Sequence, residues 1–494
     1  MQQVISTVLQ VVNPLLYFKD FFLYAYPYFF FLNVGVLFYY LVNDSRLRRQ
    51  TRRLIAKSHP LYLILLSAIM VFLTANCLVS MQPLNNLVPP TLEELYQANQ
   101  FAVTHKLVYL TRSLGLSSLL MMVKAPFYDS EDVLICSILG IITCVMTVFT
   151  LFLILKRITG NDTTALMGCM LFVSLSSVVF YFSSNADSSV ITSFLLLLLV
   201  YLYITGADMP CILFCTTLLA FIRIENLVFL FIFTTWFLLQ HRFQLRDIFL
   251  LVLGYVLFIP QIAVLYNVRP FTMGTTFFLG LGGIPGRLST IFASFRQTFG
   301  IIFLLFLLLG LVYALREKLW AVLMPFFLVV LYGCFQLNNS IPYRYLVSLL
   351  PLTVLVIATG FHLLQGFNSG KAWRLTAMSV FIVLVVFVPP HHLFMQFEKD
   401  PAYIQANIIA AEKIKDKKVI LYGYDDIIYN YQRFYKNYQP YWNLHNNTHS
   451  FEYVVHFSEG DYDKPLVERA LQTNVTFIER LGHIIYLYRI DSNP

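Results

Sequence analysis

A chain of 494 residues that is 58% hydrophobic, 16% aromatic and only 12% charged lacks the polar surface to coat a water-soluble particle, since soluble domains carry about 25% charged residues. The same figures exclude disorder, a coiled coil and a secreted disulfide scaffold, and with a mean hydropathy of +0.69 they specify an integral membrane protein. The net charge of +8 comes from short basic clusters between apolar runs, a pattern that fits membrane orientation and not nucleic acid.

The N-terminal MQQVISTVLQVVNPLL has neither a basic region nor a small-residue cleavage site, so no cleaved signal peptide is read there. A spanning helix needs roughly 20 apolar residues. About twelve candidates are centred on 24–42, 60–80, 133–155, 163–182, 188–206, 210–222, 226–240, 248–266, 300–315, 319–335, 345–365 and 374–390. The sixth and seventh are short and are separated by Arg223-Ile224-Glu225. All seven cysteines fall in apolar stretches, which leaves neither a disulfide framework nor a zinc spacing. Cys211 and Cys215, four apart on one helix face, read as packing residues.

Counting Lys and Arg sets the orientation. With RLRRQTRRLIAK (46–57) cytoplasmic, the short loops on that side hold 14 basic residues, against nine in the longer opposite loops. Both the N-terminus and everything from residue 391 onward then lie outside. From about Lys399 the chain turns polar, with a helical stretch (403–416), the strands KVILYGY, EYVVHFS and IIYLYRI, and the helix KPLVERALQ. The expected architecture is an all-α polytopic membrane protein of about 12 transmembrane helices with a small extracytoplasmic α/β C-terminal domain. Residues 1–59 supply an extra N-terminal span and a basic cytoplasmic loop. Residues 60–392 form the transmembrane core, with a first outer loop 81–131 and a further outer loop 267–299, and residues 393–494 form the outer domain.

Ionisable residues at a membrane are costly and mark functional sites. The acidic residues on the outer side by this topology are Asp20, Glu93, Glu94, Asp129, Glu131, Asp132, Asp187 and Glu225. Glu93 and Glu94 stand in PPTLEELYQANQFA, where Thr91 is placed to cap a helix and Glu94 falls at its third position. A capping box and a carboxylate that deprotonates a hydroxyl both fit that placement; Asp129, Asp132 and Asp187 are secondary acidic candidates. An arginine at mid-membrane would cost about 2.5–3.5 kcal/mol, so Arg223 and Glu225 belong at the outer end of their helical pair, as an ion pair or as ligand contacts. Arg344, between Tyr343 and Tyr345, opens an outward-facing helix, either as an interfacial arginine or as a clamp on lipid phosphate. Arg269, Arg287 and Arg296 lie in the 267–299 loop. GLGGIPG (280–286) reads as a mobile outer loop, with no strand before it and no helix N-terminus following in register. His391 and His392, after Pro389–Pro390, read as interfacial residues.

Taken together, APFYDSEDVLICSILGIITCVMTVFTLFLILKRITG, LLAFIRIEN, PYRYLVSLLP and the tail FEYVVHFSEGDYDKPLVERALQ with ERLGHIIYLYRI resemble the GT-C superfamily of polytopic glycosyltransferases over residues 60–494. The likeness is to the bacterial mannosyltransferase and aminoarabinose-transferase type. The resemblance implies a sugar donor on polyprenyl phosphate, a hydroxyl acceptor (lipid, glycan or protein), and inverting transfer at the outer face of the membrane, in a bacterial inner (plasma) membrane. It implies a first-loop carboxylate as base, with Glu94 preferred over Glu93, and substrate binding by Arg344, Arg223, Glu225, Arg269, Arg287 and Tyr343. Where the family commonly has Asp near the start of that loop, this chain has Leu92-Glu93-Glu94 about ten residues in. The tryptophan-rich motif of oligosaccharyltransferases is absent, which argues against en bloc transfer to asparagine. The partners implied are the lipid-linked donor, the acceptor and membrane lipid, with no nucleic acid. No cofactor is certain; a divalent cation is compatible with the resemblance but has no support in the sequence. The competing readings are a flippase for lipid-linked sugars, disfavoured by the lack of two similar halves, and a polysaccharide polymerase or ligase.

Overall fold

The computed structural model describes residues 19–79, 116, 118–120, 132–175, 178, 188–223, 226–240, 245–268, 284–336, 343–366, 370–387, 406, 409–415, 417–423, 437–441, 450–457, 464–481 and 485–491. The chain divides into a helical unit and a second unit that takes in Gln396–Pro494.

The helical unit runs α1 (Lys19–Asn43), α2 (Ser45–Ala56), α3 (Pro60–Val79), α4 (Asp132–Thr159), α5 (Asp162–Ser174), α6 (Ser188–Thr205) and α7 (Met209–Ile222). It continues with α8 (Leu227–Gln240), α9 (Leu245–Val268), α10 (Ile284–Phe299), α11 (Ile301–Arg316), α12 (Trp320–Gln336), α13 (Tyr343–Gly366) and α14 (Lys371–Phe387). Each apolar run of the sequence holds a helix. Five of them (Ala25–Asn43, Pro60–Leu78, Leu134–Thr159, Ser188–Thr205 and Val347–Gly366) are long and apolar enough to cross a membrane among the described residues. The pair Ile291–Phe299 and Ile301–Arg316, bent by 112°, adds a sixth if it is one span.

Helix α13 is the hub, packed against α4, α5, α6, α11 and α12. Where α11 crosses it, Gly310 faces the Val356 carbonyl and Gly360 faces the Phe306 carbonyl so closely that a methyl at either position would overlap backbone. Without a hydrophobic drive between helices in lipid, such small residues let backbones approach and gain dispersion contact. Helix α1 lies along α7 and α9, where Asn33 Nδ2 donates to the Phe214 carbonyl at 3.2 Å and Tyr26 donates to the Phe221 carbonyl at 3.3 Å.

Two segments differ from the sequence reading. The basic run 46–57 is not a loop but a helix, α2, because Leu47 and Leu54 recur at a seven-residue spacing and are buried while the arginines stay in solvent. Its N-cap is Asp44, whose Oδ1 accepts from the amides of Arg46 and Leu47, each at 2.8 Å. The 267–299 segment contains α10, which begins inside GLGGIPG, so a helix start does follow those glycines. Pro285 suits the first turn of a helix, and Ile291, Phe295 and Phe299 repeat every four residues and are buried. Gly300 then adopts φ 78°, a left-handed conformation open to glycine, at the corner into α11.

The second unit is a five-stranded sheet of order β2-β1-β3-β5-β4. Its strands are β1 (Val419–Gly423), β2 (Tyr438–Pro440), β3 (Tyr453–Phe457), β4 (Val475–Leu481) and β5 (Ile485–Ile490). Strand β1 is parallel to β2 and β3, whereas β5 is antiparallel to β3 and β4. Alternation in β1 sends Val419 and Leu421 to one core, with Ala410 and Ile414, and Ile420 to the other, with Val467 and Leu471 of helix α15 (Lys464–Leu471). Lys417 Nζ donates to Glu452 at 2.8 Å, and that bond raises the lysine above its usual range.

Candidate functional site

Polar side chains bridge the helices at both ends of the helical unit. One end carries the exposed cations of α2 (Arg46, Arg48, Arg49, Arg52, Arg53) and Lys57 just after it, and is called here the basic end. There Asp44 Oδ2 accepts from the Asp208 amide at 2.8 Å, and the buried Lys156 donates to Ser58 Oγ and Asp162 Oδ1, both at 2.5 Å. The chain direction places the start of α6, the end of α7 and the start of α13 at the opposite end.

That opposite end holds the described part of the candidate site. After α7 the backbone leaves the helix at Arg223 (φ −146°, ψ 122°), and Asn226 Nδ2 reaches back to donate to the Leu219 carbonyl at 3.1 Å. The arginine is only 9% exposed, and its Nη1 donates to Ser189 Oγ at 2.7 Å. Ser348 Oγ donates to the Ser189 carbonyl at 3.4 Å. Three segments far apart in sequence are thereby joined. Ser189 stands two residues after Asp187, and Ser348 lies one helical turn beyond Arg344 on the same face of α13.

A guanidinium buried at a helix end is desolvated, so its attraction for an anion is stronger than in bulk water. Ser189 and Ser348 bring their hydroxyls to these same helix ends, and the N-terminus of α13 favours negative charge. Chemically, this end can hold an anionic group and hydrogen-bond hydroxyls.

Of the residues singled out by sequence, Arg223 has its side chain described and is brought against Ser189. Asp132 is the first residue of α4, Arg287 lies in the first turn of α10, and Tyr343 and Arg344 open α13; their side chains lie outside the described set. Arg296, in α10, is exposed. Glu93, Glu94, Asp129, Asp187, Glu225, Arg269, His391 and His392 lie outside the described residues. Sequence reasoning missed Ser189 and Ser348; serines at apolar helix starts carry no pattern, and only their separation from Arg223 in space distinguishes them. Among the described residues no group of three or more His, Cys, Asp or Glu is placed to hold a metal, and Cys77, Cys136, Cys144, Cys169, Cys211 and Cys215 are buried free thiols.

No family model matches the chain, and no curated protein matches it. Among solved structures it is similar to the archaeal oligosaccharyltransferase AglB from Archaeoglobus fulgidus, in complex with an inhibitory peptide and a dolichol-phosphate. The identity is 11%, over 86% of this chain and 74% of that one, with a TM-score of 0.49. It is similar to ArnT from Cupriavidus metallidurans in the apo state at 10% identity, over 86% of this chain and 97% of that one, with a TM-score of 0.48. A second structure of the Archaeoglobus fulgidus oligosaccharyltransferase, with zinc and sulfate, is similar at 10% identity over 85% and 72% of the two chains, with a TM-score of 0.44.

Proposed function

We propose that the protein is a polytopic membrane glycosyltransferase of the GT-C type, which moves a sugar from a polyprenyl-phosphate donor to a hydroxyl acceptor with inversion. The observation that carries this reading is the buried Arg223, bonded to Ser189 at 2.7 Å, at the helix ends next to the start of α13. The sequence resemblance supplies the reaction, and the 14-to-nine basic asymmetry supplies the side: the site faces outward, away from the basic end. In this reading the chain crosses the membrane about twelve times, in a bacterial inner membrane, with residues 60–392 as the catalytic core and 393–494 as an outer domain.

The acceptor hydroxyl attacks the anomeric carbon while its proton passes to a carboxylate, Glu94 or its neighbour Glu93, with Asp129, Asp132 and Asp187 as the reserve candidates. A new carbon–oxygen bond forms on one face of the sugar as the bond to phosphate oxygen breaks on the other. Polyprenyl phosphate departs as an anion, which needs no protonation to leave. Arg344 takes the phosphate in a two-point fork, assisted by Arg223 and by Arg269, Arg287 or Arg296. Tyr343 and Glu225 complete the donor contacts. Charge that builds on the leaving oxygens is thus met by fixed cations where few waters remain to solvate it.

The variants Glu94→Gln and Arg344→Ala test this reading. Glu94→Gln lowers turnover by about 10²–10⁴-fold without loss of membrane insertion, the range for a lost general base, while Glu93→Gln is milder. Arg344→Lys keeps partial activity and Arg344→Ala almost none, with donor-lipid affinity falling in step. Full activity in the Glu93/Glu94 double variant moves the base to the secondary carboxylates. Unchanged donor affinity and turnover in Arg344→Ala reduce that residue to an interfacial anchor.

A further inference from the structure

A polar cavity of about 480 Å³ opens at the basic end, formed where α3 starts, α4 ends, α5 starts, α13 ends and α14 starts. We propose that it binds the phosphate of an anionic phospholipid headgroup, a role independent of the glycosyl-transfer site at the other end.

The charge balance within the cavity favours an anion. Asp162 is already engaged through both oxygens, Oδ1 by Lys156 and Oδ2 by the His59 amide at 3.2 Å. Arg374, exposed on the rim, has no carboxylate partner among the described residues. Helix α5 directs its first turn at the same space, and a helix N-terminus favours negative charge.

Gln365 gives the second, independent indication. It is only 7% exposed. Asn161 Oδ1 accepts from the Thr163 amide at 2.9 Å, which commits Asn161 Nδ2 to donate to Gln365 Oε1 at 3.4 Å. Thr164 Oγ1 donates to that oxygen as well, at 3.2 Å. The network fixes the amide orientation and leaves the Gln365 NH₂ lining the cavity with no partner among the described residues. That amide faces the cavity as a donor, and a hydrogen bond from it to an anionic acceptor is stabilising.

Position argues for a lipid over a solute. Helix α5 packs against both α3 and α14, and these neighbours carry exposed apolar side chains along their length. They include Ile64 and Val71 on α3 and Leu375, Val380 and Phe387 on α14. Trp373, beside Arg374, donates its indole N–H to the Leu364 carbonyl at 3.2 Å, as an interfacial tryptophan does. A headgroup in the cavity would have its acyl chains against this face.

The test is native mass spectrometry of the purified full chain with added phosphatidylglycerol or phosphatidylcholine. Phosphatidylglycerol is expected to remain bound in preference to phosphatidylcholine. Arg374→Ala and Gln365→Leu should each lower its occupancy about tenfold, the loss of one bond to a charged acceptor, and Arg374→Lys should recover part of it. Because Arg374 is exposed, its variants fold even if Gln365→Leu does not. In parallel, protection from thermal unfolding by inorganic phosphate, lost in the same variants, would assign the site to a phosphate drawn from solution and keep the anion chemistry. Equal retention of both lipids with no protection by phosphate, or phosphatidylglycerol retention unchanged in Arg374→Ala, would overturn the proposal.

Discussion

The ion pair at the basic end makes a quantitative prediction. Lys156 and Asp162 have side chains 6% and 15% exposed, with 2.5 Å between Nζ and Oδ1. Asp162→Leu leaves the ammonium with Ser58 Oγ as its remaining partner among the described residues and strips the His59 amide of its acceptor. An uncompensated buried charge of this kind costs about 3–5 kcal/mol. Lys156→Met is expected to cost less, because Asp162 borders the open cavity and keeps its bond from His59. The double variant, which removes both charges, should recover most of the loss, as replaced pairs do elsewhere. Asn161 still caps α5 in all three, through its bond from the Thr163 amide, so helix initiation is not the variable. The six buried free cysteines supply the assay, since a thiol-reactive fluorophore labels them only as the helices open. Labelling during a temperature ramp should run in the order Asp162→Leu earliest, then Lys156→Met, then the double variant near the parent protein. An Asp162→Leu protein that labels like the parent, or a double variant worse than either single one, would refute the reasoning.

Other outcomes follow from packing and orientation. Gly310→Ala and Gly360→Ala each force a methyl into a backbone carbonyl of the facing helix; overpacking of this kind costs about 1–3 kcal/mol, and both should lower the yield of monodisperse protein in detergent. Gly35→Ala, with nothing within 4 Å of the new methyl, is the control that should behave as the parent. For orientation, a reporter fused after Pro494 should read as extracytoplasmic and one inserted at Thr51 as cytoplasmic. A cytoplasmic signal from the C-terminal reporter would move every candidate carboxylate to the wrong side.

The long apolar helices are legible in the sequence because lipid imposes length and composition together. Strands β2 and β4 were not anticipated, and they are the two edges of the sheet. An edge strand buries little: in β4 only Val475 is buried, and Phe477 and Ile478 are exposed, so its apolar residues do not alternate. Helix α2 is hard to see in the sequence because five of its twelve residues are arginine and only Leu47 and Leu54 mark its buried face. At the candidate site, Arg223 was visible as a charge interrupting an apolar run, whereas its partner Ser189 stands 34 residues away and carries no local signal. The cavity at the basic end was equally invisible, since Asn161 and Gln365 are 204 residues apart. Contacts between distant helices leave no periodic trace in either one.

The central claim is glycosyl transfer from a lipid-linked donor, and one reconstitution tests it most directly. The purified chain is placed in lipid vesicles with a polyprenyl-phosphate sugar labelled in the sugar, together with an extract of host envelope lipids and glycans as acceptor. The account predicts that the label moves to an acceptor hydroxyl with inverted anomeric configuration, one polyprenyl phosphate being released per sugar transferred, and that Glu94→Gln nearly abolishes the transfer. Label that crosses the bilayer still attached to its polyprenyl phosphate, with no product formed, would contradict the account and make the protein a transporter of lipid-linked sugar.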